Sequence, residues 1–169
     1  MERLVRGLRG DVLEVGCGAV RFMDIIAARA RAGELRYVGI DPKLPRLRAP
    51  GGMRLLRLSI EGFDAPQSSF DHVLILRSYN HIRLPSVAFP KLRRWLRPGG
   101  RLTVVDGSAY GLVLTRPPGP ARPGEFQHFR NHTSRQARAM LEDFGFAVVR
   151  ETPVRPAGCN EWLLELKRK

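Results

Sequence analysis

The stretch from Asp11 to Asp41 constrains this chain more than any other. Asp11–Val15 reads as a short buried strand, and Gly16-Cys17-Gly18 follows as a tight turn. Apolar residues then recur at helical spacing, with Phe22, Ile25, Ile26 and the run Ala28 to Ala30, which predicts a helix from Phe22 to Arg31. Gly33 is placed to stop that helix, because glycine enters the left-handed region without a Cβ clash. A second apolar strand, Arg36–Ile40, runs into Asp41. The unit is strand, glycine turn, helix, strand, with a carboxylate closing the second strand.

Two glycines let a backbone approach a ligand closely, and a helix start offers unpaired N–H groups. Asp41 lies twenty-three positions after Gly18, where an exposed carboxylate at a strand end is able to accept hydrogen bonds from a ribose diol. The pattern therefore predicts a nucleoside-bearing ligand.

The rest of the chain supplies further segments of the same kind. Pro42–Gly52, with three prolines and two glycines, reads as a loop. Met53–Ser59 is the third strand, and Asp71–Leu76 a continuous apolar strand broken by His72. That strand runs into Arg77-Ser-Tyr-Asn-His81. Ser86 is expected to cap a helix to Leu96 with Val87, Leu92 and Trp95 as its apolar stripe, provided Pro90 falls in the first turn. Arg97-Pro-Gly-Gly100 turns into a fifth strand, Leu102–Val105, which closes on Asp106. Residues 108–126, rich in proline, glycine and arginine, read as an irregular insertion. Thr133-Ser-Arg-Gln136 has capping-box spacing for a helix Ser134–Phe144, followed by strands Phe146–Glu151 and Asn160–Leu166.

Several of these segments resemble class I S-adenosylmethionine (SAM)-dependent methyltransferases. Leu13-Glu-Val-Gly-Cys-Gly18 resembles motif I, Gly39-Ile-Asp41 the end of strand two, and Ser59-Ile-Glu-Gly-Phe-Asp64 the segment that edges the adenine. Leu96-Arg-Pro-Gly-Gly-Arg-Leu102 and Met140-Leu-Glu-Asp-Phe-Gly-Phe146 resemble the turns into strands five and six. The resemblance implies one α/β domain over 1–169, a three-layer Rossmann-like sandwich. Its sheet would be seven-stranded and mostly parallel with an antiparallel last strand. It implies SAM as cofactor, held by Glu14, Gly16, Cys17, Gly18, Asp41, Ser59, Ile60, Glu61 and Arg77. Two departures stand out. Val20 replaces a third small residue of motif I, and Ser59 stands where the family often has an acid. Only Met1–Gly10 precede the first strand, so the site is expected to be open, covered by a partner chain or domain, or cut from a longer chain.

Composition limits the alternatives. The net charge is +13, and 25 of the 29 basic residues are arginine, because lysine occurs only at 43, 91, 167 and 169. The arginines are scattered and not interleaved with aromatics, so a nucleic-acid partner is possible but not favoured. Two cysteines, Cys17 and Cys159, are too few for a disulfide framework and point to a cytoplasmic protein. No signal peptide, membrane span or metal-ligand spacing is present, and no metal is expected.

Methyl transfer from a sulfonium requires alignment of a nucleophile and, for a hydroxyl, removal of its proton. His81, His128 and Asp106 are the catalytic candidates, with His132 behind them. Tyr79, Asn80 and Tyr110 are expected to line an acceptor pocket, and Arg77 and Arg130 to bind an anionic acceptor. The expected reaction is methylation of oxygen or nitrogen on a small or carrier-bound acceptor. A non-catalytic SAM-fold binding domain is the alternative, and an RNA methyltransferase a third reading. The latter loses ground because Arg77-Ser-Tyr-Asn80 replaces the Asn/Asp-Pro-Pro-Tyr/Phe motif of many adenine methyltransferases. Val20 and the Pro-Gly-Gly turn argue against an NAD dehydrogenase.

Overall fold

The structure, a computed structural model, describes residues 1–107, 128–153 and 161–169. The expected insertion 108–126 with Tyr110, and also Cys159 and Asn160, lie outside the described residues.

Seven strands form one sheet: β1 (Gly10–Val15), β2 (Leu35–Ile40), β3 (Met53–Leu56), β4 (Phe70–Leu76), β5 (Leu96–Gly107), β6 (Phe146–Pro153) and β7 (Glu161–Arg168). Their order is β3-β2-β1-β4-β5-β7-β6. The pairs β3/β2, β2/β1, β1/β4 and β4/β5 are parallel, and only β7 runs antiparallel to its neighbours. This is the sheet that the sequence resemblance implied.

Helices cover both faces, which is why β1 and β4 read as continuous apolar runs and not as alternating ones. On one face Val5 and Leu8 pack with Ile26, Ala27 and Ala30 of α2 (Met23–Arg31) over Val12, Tyr37 and Leu74. Val5 belongs to α1 (Glu2–Gly7). On the other, α3 (Pro85–Trp95) and α4 (Ser134–Asp143) bury Phe89, Leu92, Trp95, Ala137 and Leu141 against Leu13, Val73, Val104 and Leu164.

Five local expectations are corrected. Helix α3 has Leu84 at its N-cap and no side-chain cap there, so Ser86 does not cap it; Pro85 opens the first turn, where a missing N–H costs nothing. Pro90 lies beyond the first turn, inside the helix. The helix holds because Ala88, Phe89, Leu92 and Trp95 are completely buried, and tertiary burial outweighs one lost backbone bond. Val87, expected in the apolar stripe, is 37% exposed. Strand β3 ends at Leu56, three residues short of Ser59, which leaves Leu58 free to face a cavity. Strand β5 begins early, at Leu96, and passes through the Pro-Gly-Gly segment with Gly99 at φ +78°. The capping box is present as expected: Thr133 Oγ1 accepts from Gln136 N, and Gln136 Oε1 accepts from Thr133 N.

Helix α1 was not expected. Six residues are too few for a periodic signal. Its last turn is held from outside, where Arg29 of α2 donates to the carbonyls of Val5 (3.0 Å) and Arg6 (2.7 Å). Val5 O also accepts from the C-cap N–H of Leu8 at 3.3 Å, so the arginine adds a second donor at a helix end whose carbonyls lack the usual intrahelical partners.

Candidate functional site

The sheet reverses its winding between β1 and β4, and a doubly wound sheet opens a crevice at the carboxyl ends of such a pair. Gly16–Gly18, Asp41 and Arg77–His81 all emerge at this crevice. The backbone N–H groups of Gly16 (2.8 Å) and Cys17 (3.1 Å) donate to Ile40 O, which ties the turn to the end of β2.

The two glycines have different reasons to be glycine. Gly16 has φ +71°, and a Cβ there would lie 2.3 Å from the Cβ of Ser78. Ser78 is itself fixed, since its hydroxyl donates to Val15 O at 2.5 Å. Gly18 has φ +52°, and a Cβ there would meet no heavy atom within 4 Å. It would stand in the open cavity. Val20 keeps the glycine-type backbone at φ +56°, an outlier for a β-branched residue. Its side chain is buried beside α2, and that burial offsets the conformational cost. The departure from motif I therefore leaves the course of the turn unchanged.

Asp41 is not the exposed carboxylate that was expected. It is 7% exposed, its Oδ2 accepts from Gly18 N at 2.9 Å, and its Oδ1 accepts from Lys43 N at 2.7 Å. Each oxygen retains a further lone pair. The residue thus braces the glycine turn and still faces the cavity.

That cavity has a volume of about 600 Å³. Val15, Ile40, Leu58, Ile60, Ile82 and Phe129 supply apolar wall; Asp41, Ser59, Glu61, Arg77, His81 and His128 supply polar groups. Two of the polar side chains also serve the fold. Ser59 Oγ accepts from Gly62 N at 3.3 Å, and Glu61 Oε1 accepts from Leu84 N at 3.1 Å, which ties it to the residue that precedes α3.

A second cavity of about 280 Å³ lies on the α2 side of the glycine turn, bounded by Glu14, Cys17, Arg21, Arg77 and Glu161. Gly16 and Arg77 line both cavities. Arg77 adopts φ +60° and pairs with the buried Glu161 at 2.5 Å. Cys17 points away from the larger cavity; burial pushes its thiol up to about 12, so it stays protonated. Burial also raises the carboxyl of Glu14 from 4.5 to about 7, against the opposing effect of the Tyr37 hydroxyl that donates to it at 2.6 Å.

Because the folded state holds the Glu14 proton to higher pH than the unfolded chain, stability falls as pH rises from about 4.5 to about 7. The loss should be on the order of 3 kcal/mol, because a titration displaced by one pH unit corresponds to about 1.4 kcal/mol. Glu14→Gln should abolish that part of the slope. Urea midpoints for both proteins across this range test it, and parallel curves would refute it.

The segment after β4 forms a 3-10 turn, Tyr79–His81. Tyr79 and Asn80 are buried and do not reach the cavity. Tyr79 bonds His132 Nδ1 at 2.9 Å, which makes His132 a partner of the core. Asp106, 2% exposed, accepts from Asn80 N, Asn80 Nδ2 and Gly107 N, and burial holds its carboxyl above the usual range. It sits behind the turn, supporting it. Arg130 donates to the carbonyls of Tyr79 (2.7 Å) and Ile82 (2.6 Å) and so straps the turn instead of facing an anion. His81 and His128 do reach the cavity, with ring centroids 4.0 Å apart. Leu58, Phe129 and Arg21 also line the two cavities and were not expected from sequence, whereas Ser78 falls in the Arg77–His81 segment that the sequence pointed toward the site.

Sheet order, glycine turn and strand-end acid define the class I SAM-dependent methyltransferase fold. The sequence matches the methyltransferase domain family over residues 13–104, more than half of the chain, and the protein belongs to that family. It is 31% identical over 101 residues to "Uncharacterized methyltransferase YdaC" of Bacillus subtilis (strain 168), spanning 57% of this chain and 56% of that one. The chain thus spans little more than half the length of this curated relative. Two solved structures share the fold. PH0226 protein from Pyrococcus horikoshii OT3 has a TM-score of 0.73 at 18% identity, covering 99% of this chain and 87% of that one. Burkholderia thailandensis 1,6-didemethyltoxoflavin-N1-methyltransferase has a TM-score of 0.71 at 19% identity, covering 94% and 71%. The latter holds bound 1,6-didemethyltoxoflavin and S-adenosylhomocysteine. Among the described residues no helix is long and apolar enough to cross a membrane.

Proposed function

We propose that this protein transfers a methyl group from SAM to an oxygen or nitrogen of a small or carrier-bound acceptor in the cytoplasm. The observation that carries the reading is the Gly18–Asp41 pair. The glycine has open space where a side chain would stand, and the carboxylate bonded to its N–H faces the same cavity. A nucleoside fits such a cradle. Asp41 would accept from the ribose hydroxyls, Ile60 and the backbone near Glu61 would bound the adenine, and Glu14 would lie toward the amino-acid end. Bound SAM supplies a sulfonium-activated methyl group. The chain's own work is to orient the acceptor and hold its proton, for which His81 and His128 are placed at the cavity wall.

The test is calorimetry with SAM and S-adenosylhomocysteine, followed by incubation with methyl-labelled SAM and fractionated cell extract. Micromolar binding with label in a small-molecule or carrier fraction is expected. Binding without label in any fraction would favour the non-catalytic domain, label in RNA would favour the nucleic-acid reading, and absent binding would remove both.

A further inference from the structure

We propose that His81 and His128 work as one unit, two touching imidazoles that together take up the proton of a weakly acidic O–H or N–H on a flat, mainly apolar acceptor. This rests on the methyl-transfer reading above and deepens it.

The geometry comes first. The rings meet edge to face, with centroids 4.0 Å apart and planes at 64°, and both line the larger cavity. Neither hangs on a loose backbone. His81 N donates to Ser78 O, and Arg130 straps the carbonyls on either side of the turn. The residue after His128 is tied to the same turn, because Phe129 N donates to Asn80 O at 2.9 Å. The pair is therefore built in advance of any acceptor, as an efficient proton acceptor requires.

Two positive charges at this separation repel, so the pair holds one proton far more readily than two. The charged groups around it are Asp41, Glu61 and Asp106 against Lys43, Arg77 and Arg130. Asp106, buried behind the turn, is a carboxylate that interacts electrostatically with His81. Burial and the neighbouring His81 hold His128 below the ordinary histidine range, so His128 is the neutral imidazole that receives the acceptor's proton.

The walls define what the acceptor looks like. Leu58, Ile82 and Phe129 add apolar surface to the cavity that the pair lines. The two guanidinium groups nearest the turn are engaged, Arg77 with Glu161 and Arg130 with backbone carbonyls. A flat ring bearing a phenol-like hydroxyl or a ring N–H matches these walls. Its proton passes to His128 while the oxygen or nitrogen lone pair forms the bond to the methyl carbon. The carbon–sulfur bond breaks, its electrons remain on sulfur as a neutral thioether, and the one proton taken up by the pair leaves to water.

The test uses the whole protein saturated with S-adenosylhomocysteine and two probes, 4-nitrophenol and 4-nitroanisole, which lacks the proton. Ring NMR signals should show His128 titrating below the ordinary histidine range. His81→Gln should raise the titration of His128. 4-Nitrophenol should bind with the absorbance of its phenolate at a pH where the free probe is mostly un-ionised, and at least about tenfold more tightly than 4-nitroanisole, a difference of about 1.4 kcal/mol. His128→Gln should erase that preference while S-adenosylhomocysteine affinity by calorimetry stays within about twofold. A His128 titration unmoved by His81→Gln, or 4-nitrophenol bound un-ionised or no better than 4-nitroanisole, overturns the proposal alone. If the wild-type protein fails to bind S-adenosylhomocysteine, the underlying reading falls, and this one with it.

Discussion

Gly18→Ala is expected to fold and to lose SAM, whereas Gly16→Ala is expected to damage the fold itself. Both positions lie in the left-handed region, where an alanine costs roughly 1–2 kcal/mol. The difference is what the new methyl meets. At Gly18 it meets no protein atom, so the stability loss stops at that conformational cost. The methyl would, however, occupy the cavity beside Asp41, and a ligand held there should bind about a hundredfold more weakly, about 2.7 kcal/mol. At Gly16 the methyl would sit 2.3 Å from the Cβ of Ser78, whose hydroxyl is bonded to Val15 O. Neither partner is able to move without giving up a bond at the end of β1. Overpacking of this kind adds about 1–3 kcal/mol, for a total near 2–5 kcal/mol. Ser78→Gly in the Gly16→Ala background should recover the overpacking part. Urea unfolding and SAM calorimetry on the four proteins decide the matter; equal stability losses for Gly16→Ala and Gly18→Ala would refute the assignment of different roles.

This contrast also marks the limit of what the sequence could say. The strand–turn–helix–strand unit was legible because the buried parallel strands are apolar on both faces and bounded by glycines. The antiparallel β7 followed from the resemblance alone. Roles at the site were less legible. Arg130 and His132 look like ligands in sequence, yet they bond Tyr79, one through its carbonyl and the other through its hydroxyl. Nothing local distinguishes an arginine that binds an anion from one that straps a turn fifty-one residues away. Ser86 failed as a cap because α3 already begins at Pro85, which leaves Ser86 inside the first turn. Helix limits are written in neighbouring residues, but polar partners are chosen by the fold.

Asp41→Ala is expected to weaken SAM binding by about a hundredfold, about 2.7 kcal/mol, and to destabilise the fold as well. The second effect follows from burial. Removing the carboxylate takes the acceptor away from the part-buried N–H bonds of Gly18 and Lys43, and losing a hydrogen bond to a charged group costs about 1.5–3 kcal/mol. Water entering from the cavity should satisfy part of this, so a loss near 2–4 kcal/mol is expected in unfolding experiments. Asp41→Asn should separate the two effects. Its one amide oxygen can serve either Gly18 N or Lys43 N, but its NH₂ group opposes the other donor. It should therefore fall between wild type and alanine in stability, and its remaining acceptor should keep part of the ribose contact. If SAM is held elsewhere, ligand affinity in both variants should match wild type at a temperature where each is folded by circular dichroism. That result would remove Asp41 from the cofactor site and leave it a purely structural brace for the glycine turn.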